Sequence, residues 1–229
     1  MVQVNPTKLF LRFKFRKGGS LQYVSHLDLV RTMHKVIVRA KLPLWYTEGF
    51  NPKPKMIFAA PLSIGTESVC EYMDIRMNEY IDPIEAMNRI NANMTSEMQI
   101  TEAYYPESKF TELKWMSYRI TIRPATFGDA LVERINAALS AETIEVQKKN
   151  SEDTTNIRPL IKDATAVAEG ESIVIRATLS ADPSAFLNPE YVVKALRSSC
   201  DILNSADLMS ESYDIMRLNA YFGDMTEFR

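Results

Sequence analysis

Apolar and polar positions alternate over the second half of residues 9–15, Leu-Phe-Leu-Arg-Phe-Lys-Phe, and predict a half-buried strand followed by a Gly18-Gly19 turn. The period then lengthens. Leu29, Met33, Val36 and Ala40 recur at helical spacing with Val30 and Ile37 beside them, and Ser25 stands three residues before Asp28 as an approximate capping box. The pattern predicts a helix over 26–40, which Pro43 ends. A long connection over 44–54, carrying Gly49, Pro52 and Pro54, leads to two short strands at 56–60 and 69–77. Asp82-Pro83 is an N-cap followed by proline at the first helical position and opens a helix to about Asn93. A strand at 98–104 completes the order βαββαβ.

Residues 105–111, Tyr-Pro-Glu-Ser-Lys-Phe-Thr, are polar and irregular and read as a linker. Beyond them the order repeats. Met116, Tyr118, Ile120 and Ile122 alternate with polar residues as in a strand, and Phe127, Leu131, Ile135 and Leu139 stand four apart along a helix. Short strands are predicted at 143–147 and 172–179, a helix opens at Asn188-Pro189-Glu190, and a strand over 212–221 closes the set. The expected fold class is therefore α+β, with two tandem ferredoxin-like βαββαβ domains over 1–105 and 112–229.

The composition of the 229 residues, 46% hydrophobic and 24% charged with 7 glycines and 11 prolines, is that of a globular chain and excludes collagen-like and low-complexity readings. Cys70 and Cys200 are too few for a disulfide framework, a four-cysteine zinc site or a three-cysteine iron–sulfur site. No run of 18 apolar residues is present and the first 16 residues lack a signal-peptide core, so the expected location is the cytoplasm, without membrane contact, and both thiols are expected free. The formal charge of −2 hides a polarity: through Lys55 eleven basic residues face two acids, a net of +9, and the remainder carries −11. Such a cluster of one sign points to an anionic partner.

Arg31, Lys35 and Arg39 form a cationic stripe on the first helix, opposite its apolar face. The following loop interleaves Trp45, Tyr46 and Phe50 with Lys53 and Lys55 on a proline-spaced backbone. Aromatic faces stack on unpaired bases while ammonium groups meet phosphates, so Arg31, Lys35, Arg39, Tyr46, Phe50, Asn51, Lys53 and Lys55 are the candidate nucleic-acid contacts. Trp45 and Phe50 also suit a core. Ser25, His26, Asp28, Glu48 and Gly49 are expected to orient the loop. His26 and His34, eight positions apart, are separated by about 80° and about 12 Å of rise, too far to share a metal ion. No metal site or cofactor is expected. His26 with Asp28 is the candidate catalytic pair should the chain cleave or modify RNA. No P-loop, dinucleotide fingerprint, nucleophile elbow or zinc-protease motif is present. Glu71 and Asp74 fall on opposite strand faces and read as surface residues or as partners of the basic helix.

The ordered run Tyr23-Val24-Ser25-His26-Leu27-Asp28-Leu29, Arg39-Ala40-Lys41-Leu42-Pro43, Glu48-Gly49-Phe50-Asn51-Pro52-Lys53-Pro54-Lys55, Pro61-Leu62-Ser63-Ile64-Gly65-Thr66-Glu67-Ser68 and Glu71-Tyr72-Met73-Asp74 resembles the radical-SAM-linked protein family. Ile157-Arg158-Pro159-Leu160-Ile161 resembles that family's later motif. The chain departs from the pattern at Lys53, where the family often has histidine, and at Val38-Arg39, where it often has a basic pair. The resemblance implies an uncharacterised protein encoded beside or fused to a radical SAM protein, which would be its partner. The tandem layout is also similar to that of CRISPR repeat-processing endoribonucleases, but their glycine-rich C-terminal loop is missing and Gly223 stands alone. The leading expectation is an RNA-binding, non-catalytic accessory of a radical SAM enzyme. A metal-independent ribonuclease or RNA-modifying enzyme, and a protein–protein adaptor of the radical SAM partner without nucleic acid, are the alternatives.

Overall fold

The computed structural model describes residues 9–147, 153–205, 207 and 209–229. The chain is a mixed α+β structure that divides into two compact units, residues 1–110 with Arg229 and residues 111–228. No helix among the described residues is long and apolar enough to cross a membrane.

The first unit runs β1 (Phe10–Lys17), α1 (His26–Arg39), β2 (Met56–Phe58), β3 (Thr66–Arg76), α2 (Pro83–Asn91) and β4 (Met98–Tyr104). Its strands lie in the order β4-β1-β3-β2 with antiparallel neighbours. The alternation in β1 decides what covers each face. Leu11, Phe13 and Phe15 turn to one side and join Leu29, Met33, Val36 and Ile37 of α1, Ala86 and Ile90 of α2 and Met73 and Ile75 of β3 in one buried apolar cluster. Both helices start where the sequence places their caps: Ser25 Oγ accepts from the Asp28 amide at 3.2 Å, and Asp82 Oδ1 accepts from the Glu85 amide at 2.9 Å. Each such cap is worth about 1 kcal/mol.

Arg12 turns to the other side and is wholly buried. Its guanidinium donates to both carboxylate oxygens of Asp74, at 2.8 and 2.9 Å, and to Ser108 Oγ at 2.8 Å and Ser108 O at 3.0 Å. Phe110 stacks against it, 4.3 Å from guanidinium carbon to ring centre. The segment through Ser108 and Phe110 is therefore a strap returning across the strand face away from the helices. This corrects the surface reading of Asp74, and Glu71, which stands opposite Phe15 on the other strand face, is buried too. It also removes charge from the basic cluster: Arg12 and Lys17 are buried, and Lys14 Nζ pairs with Glu102 at 3.0 Å. Alternation fixes the face a residue takes but not whether a distant segment covers that face.

The second unit runs β5 (Trp115–Arg123), α3 (Asp129–Leu139), β6 (Glu145–Gln147), β7 (Thr154–Asn156), β8 (Ile161–Glu169), β9 (Ser172–Ser180), α4 (Glu190–Cys200) and β10 (Ser212–Tyr221). Four strands form the sheet order β10-β5-β9-β8, and β6 and β7 pair separately. The strand expected at 143–147 is thus part of a two-stranded hairpin, and β8 takes the sheet position. In β8 only Ile161 and Ala166 are buried, so this strand at the end of the sheet order offers no apolar alternation to read. Helix α3 starts at Asp129, which leaves Phe127 ahead of it.

Asp74→Ala strands a buried guanidinium and should cost about 3–5 kcal/mol in urea unfolding. The double change Arg12→Met with Asp74→Leu should cost much less, and equal losses in the two proteins would show that the pair is not the source.

Candidate nucleic-acid interface

The cationic stripe of α1 is exposed along its length: Arg31, Lys35 and Arg39 all face solvent. Its acidic neighbour Asp28 is already engaged, since Oδ2 accepts from Ser25 Oγ at 2.7 Å and Oδ1 from Arg31 Nη1 at 3.0 Å. These hydrogen bonds, Ser25 first, hold the Asp28 carboxyl below the usual carboxylate range. The Arg31 contact is an exposed i,i+3 pair, cheap to exchange for a phosphate. His26 turns elsewhere and lies edge-on to Phe58, ring centres 5.4 Å apart. No hydrogen bond joins His26 to Asp28, so the candidate catalytic pair is not assembled. Instead Ser25 and Asp28 fix the start of α1, and His26 packs it against β2.

Residues 44–55 form a hairpin stitched to the end of β3. Tyr46 bridges Pro54, Thr47 N donates to Lys53 O at 2.9 Å, and Lys53 N donates to Thr47 Oγ1 at 3.1 Å. At its base Trp45 N donates to Arg76 O and Arg76 N to Lys55 O, each at 3.0 Å. The turn needs Gly49, whose φ of 122° lies in the region that side chains avoid. Phe50 projects fully into solvent at the tip, Tyr46 is 43% exposed, and Asn51, Lys53, Lys55 and Glu48 are exposed. An exposed phenyl ring at the end of a hydrogen-bonded hairpin forgoes burial worth about 1.5–3 kcal/mol, so the core reading of Phe50 is overturned.

Trp45 is half-buried, with the Arg76 guanidinium carbon 4.0 Å above its ring. Arg76 escapes notice in the sequence because its only local signal is its position two residues beyond Asp74 on the same strand face. His34 also gains a role. Burial, and then the charge of Lys53, hold its imidazole below the ordinary value of 6.5. His34 lies about 60° around the helix from Arg31.

Among the described residues no three His, Cys, Asp or Glu side chains gather to hold a metal ion. The site offers cations, exposed rings and backbone amides: groups that bind a polyanion with unstacked bases.

A sequence model of a family described as "Uncharacterized protein conserved in bacteria (DUF2344)" matches residues 11–189. No curated protein matches the chain. Among solved structures, a chain of the crystal structure of a Cbf5-Nop10-Gar1 complex is similar at 9% identity and a TM-score of 0.47, over 92% of this chain and 48% of that one. An unknown protein from Galdieria sulphuraria is similar at 10% identity and a TM-score of 0.26, over 92% of this chain and 98% of that one. The chain thus spans about half the length of the Cbf5-complex chain that it matches.

Because burial and Lys53 both disfavour the imidazolium, the folded protein binds the His34 proton less tightly than the unfolded chain does, and acidification through 6.5 removes stability. In an NMR titration the His34 midpoint should fall below 6.5 and move upward in Lys53→Gln. An unmoved midpoint would mean that the Lys53 charge does not act on His34.

Proposed function

We infer that this chain, which belongs to the bacterial DUF2344 family of uncharacterised proteins, is an RNA-binding accessory that presents RNA to a separate radical SAM enzyme. The observation that carries the RNA reading is the exposure of Phe50 and Tyr46 on the same hydrogen-bonded hairpin as Lys53 and Lys55, in the unit that also exposes the Arg31-Lys35-Arg39 stripe. Arg31, Lys35, Arg39, Lys53 and Lys55 contact phosphates, Phe50 and Tyr46 stack on unpaired bases, and Asn51 contacts the nucleotide. Ser25, Asp28 and Gly49 keep the helix start and the hairpin in place. The radical SAM partner rests on the sequence resemblance alone.

The matching strand orders of the two units support reading each as a ferredoxin-like domain, the second with the β6–β7 hairpin inserted. In such a domain the helices cover one sheet face. The first unit's RNA contacts then sit on a helix and on a hairpin running off the sheet, where a single strand reaches them without unfolding the core.

Binding of a 20-nucleotide single-stranded RNA, followed by fluorescence anisotropy against salt, should show log K falling steeply with log salt. The five phosphate contacts of this site contribute a slope of about −3.5. Phe50→Ala should weaken binding by about 5- to 150-fold, the cost of one lost stack, and leave the slope unchanged. Lys53→Gln with Lys55→Gln should flatten the slope by about 1.4. A flat slope for the wild type, or no RNA held at low salt, contradicts this function.

A further inference from the structure

We propose that the strand face of the second unit turned away from its helices is a further binding surface for single-stranded RNA, gripped by Arg119 and Arg176. The proposal rests on the RNA-binding reading above but uses a different surface, in the half of the chain whose net charge is negative.

The register fixes the geometry. Met116, Tyr118, Ile120 and Ile122 of β5 stand opposite Leu179, Ala177, Ile175 and Ile173 of β9, all buried. Arg119 therefore points to the other face, directly opposite Arg176, and both are exposed. Met216 of β10 flanks the pair on one side and Thr165 of β8 on the other. Like charges placed directly opposite each other in an antiparallel pair destabilise a sheet. Among the described residues no ion pair within 4.0 Å relieves this pair. Arg119 Nη2 reaches only Met216 Sδ, at 3.9 Å, and Arg176 makes no hydrogen bond or ion pair among the described residues. Asp214, one step along on β10, is taken by Arg123 at 2.6 Å. Asp163 of β8 lies one row away and forms no ion pair with Arg176 within 4.0 Å.

Two guanidiniums side by side offer planar forks that match phosphate oxygens. Hydroxyls lie around them on the same face: Thr165 beside Arg176, and Ser117 and Thr121 two residues to either side of Arg119. A bound phosphodiester would convert the repulsion into attraction. An extended strand fits a sheet face better than a duplex does, because its backbone can follow the row of side chains.

The test uses the full chain, a 20-nucleotide oligouridylate and anisotropy across a salt series. Arg119→Gln with Arg176→Gln should weaken binding and flatten the log–log slope by up to about 1.4. Its melting temperature at low salt should not fall, because a repulsion has been removed. If this variant binds like the wild type while Lys53→Gln with Lys55→Gln binds weakly, the second surface is wrong and the RNA function stands. If the wild type binds no oligouridylate, both fail. If the arginine variant alters only the oligomeric state in light scattering, the face belongs to a second copy of the chain and the inference is overturned.

Discussion

Arg12 is the residue on which the first unit is organised. A guanidinium cannot be buried without partners, because the effective cost of desolvating one ion is several kcal/mol. Here Asp74 takes it bidentately from the neighbouring strand, and Ser108 and Phe110 close over it from the segment that follows β4. That arrangement ties β1, β3 and the strap into one block. Burial lifts the Asp74 carboxyl above its ordinary range while the Arg12 hydrogen bonds work against the lift. The pair is thus better evidence for a fixed register than for a large gain in stability.

With β3 held in register, its end becomes a template. Arg76 bonds through its backbone to both Trp45 and Lys55 and presents its side chain to the Trp45 ring. The hairpin is therefore an extension of the sheet rather than a free loop, which explains how Phe50 can stand in solvent at a defined place. Function and fold meet here. The same strand that buries Asp74 against Arg12 carries Arg76 two residues on, and so positions the aromatic and cationic groups that face outward.

Much of the local structure was legible in the sequence. The Ser25 and Asp82 caps, the apolar stripe of α1 and the alternation of β5 each reflect interactions between residues close in the chain, and the helices and strand they predict are present. What escaped depends on distant contacts. Asp74 looks like a surface carboxylate until the segment through Ser108 and Phe110 folds back over it. Strand β8 has little apolar pattern, standing at the end of the sheet order with only Ile161 and Ala166 buried, and the Lys53 charge acts on His34 from another part of the chain. The charge count overstates the exposed cluster for a similar reason, since three early basic residues are buried or ion-paired inside the unit.

Photo-crosslinking the full chain to a single-stranded RNA carrying 4-thiouridine, with the attached residues mapped by mass spectrometry, reads contact directly. Adducts on Phe50 and Tyr46, and on segments adjoining α1, are predicted. Adducts confined to surfaces remote from the hairpin and α1 would contradict the account.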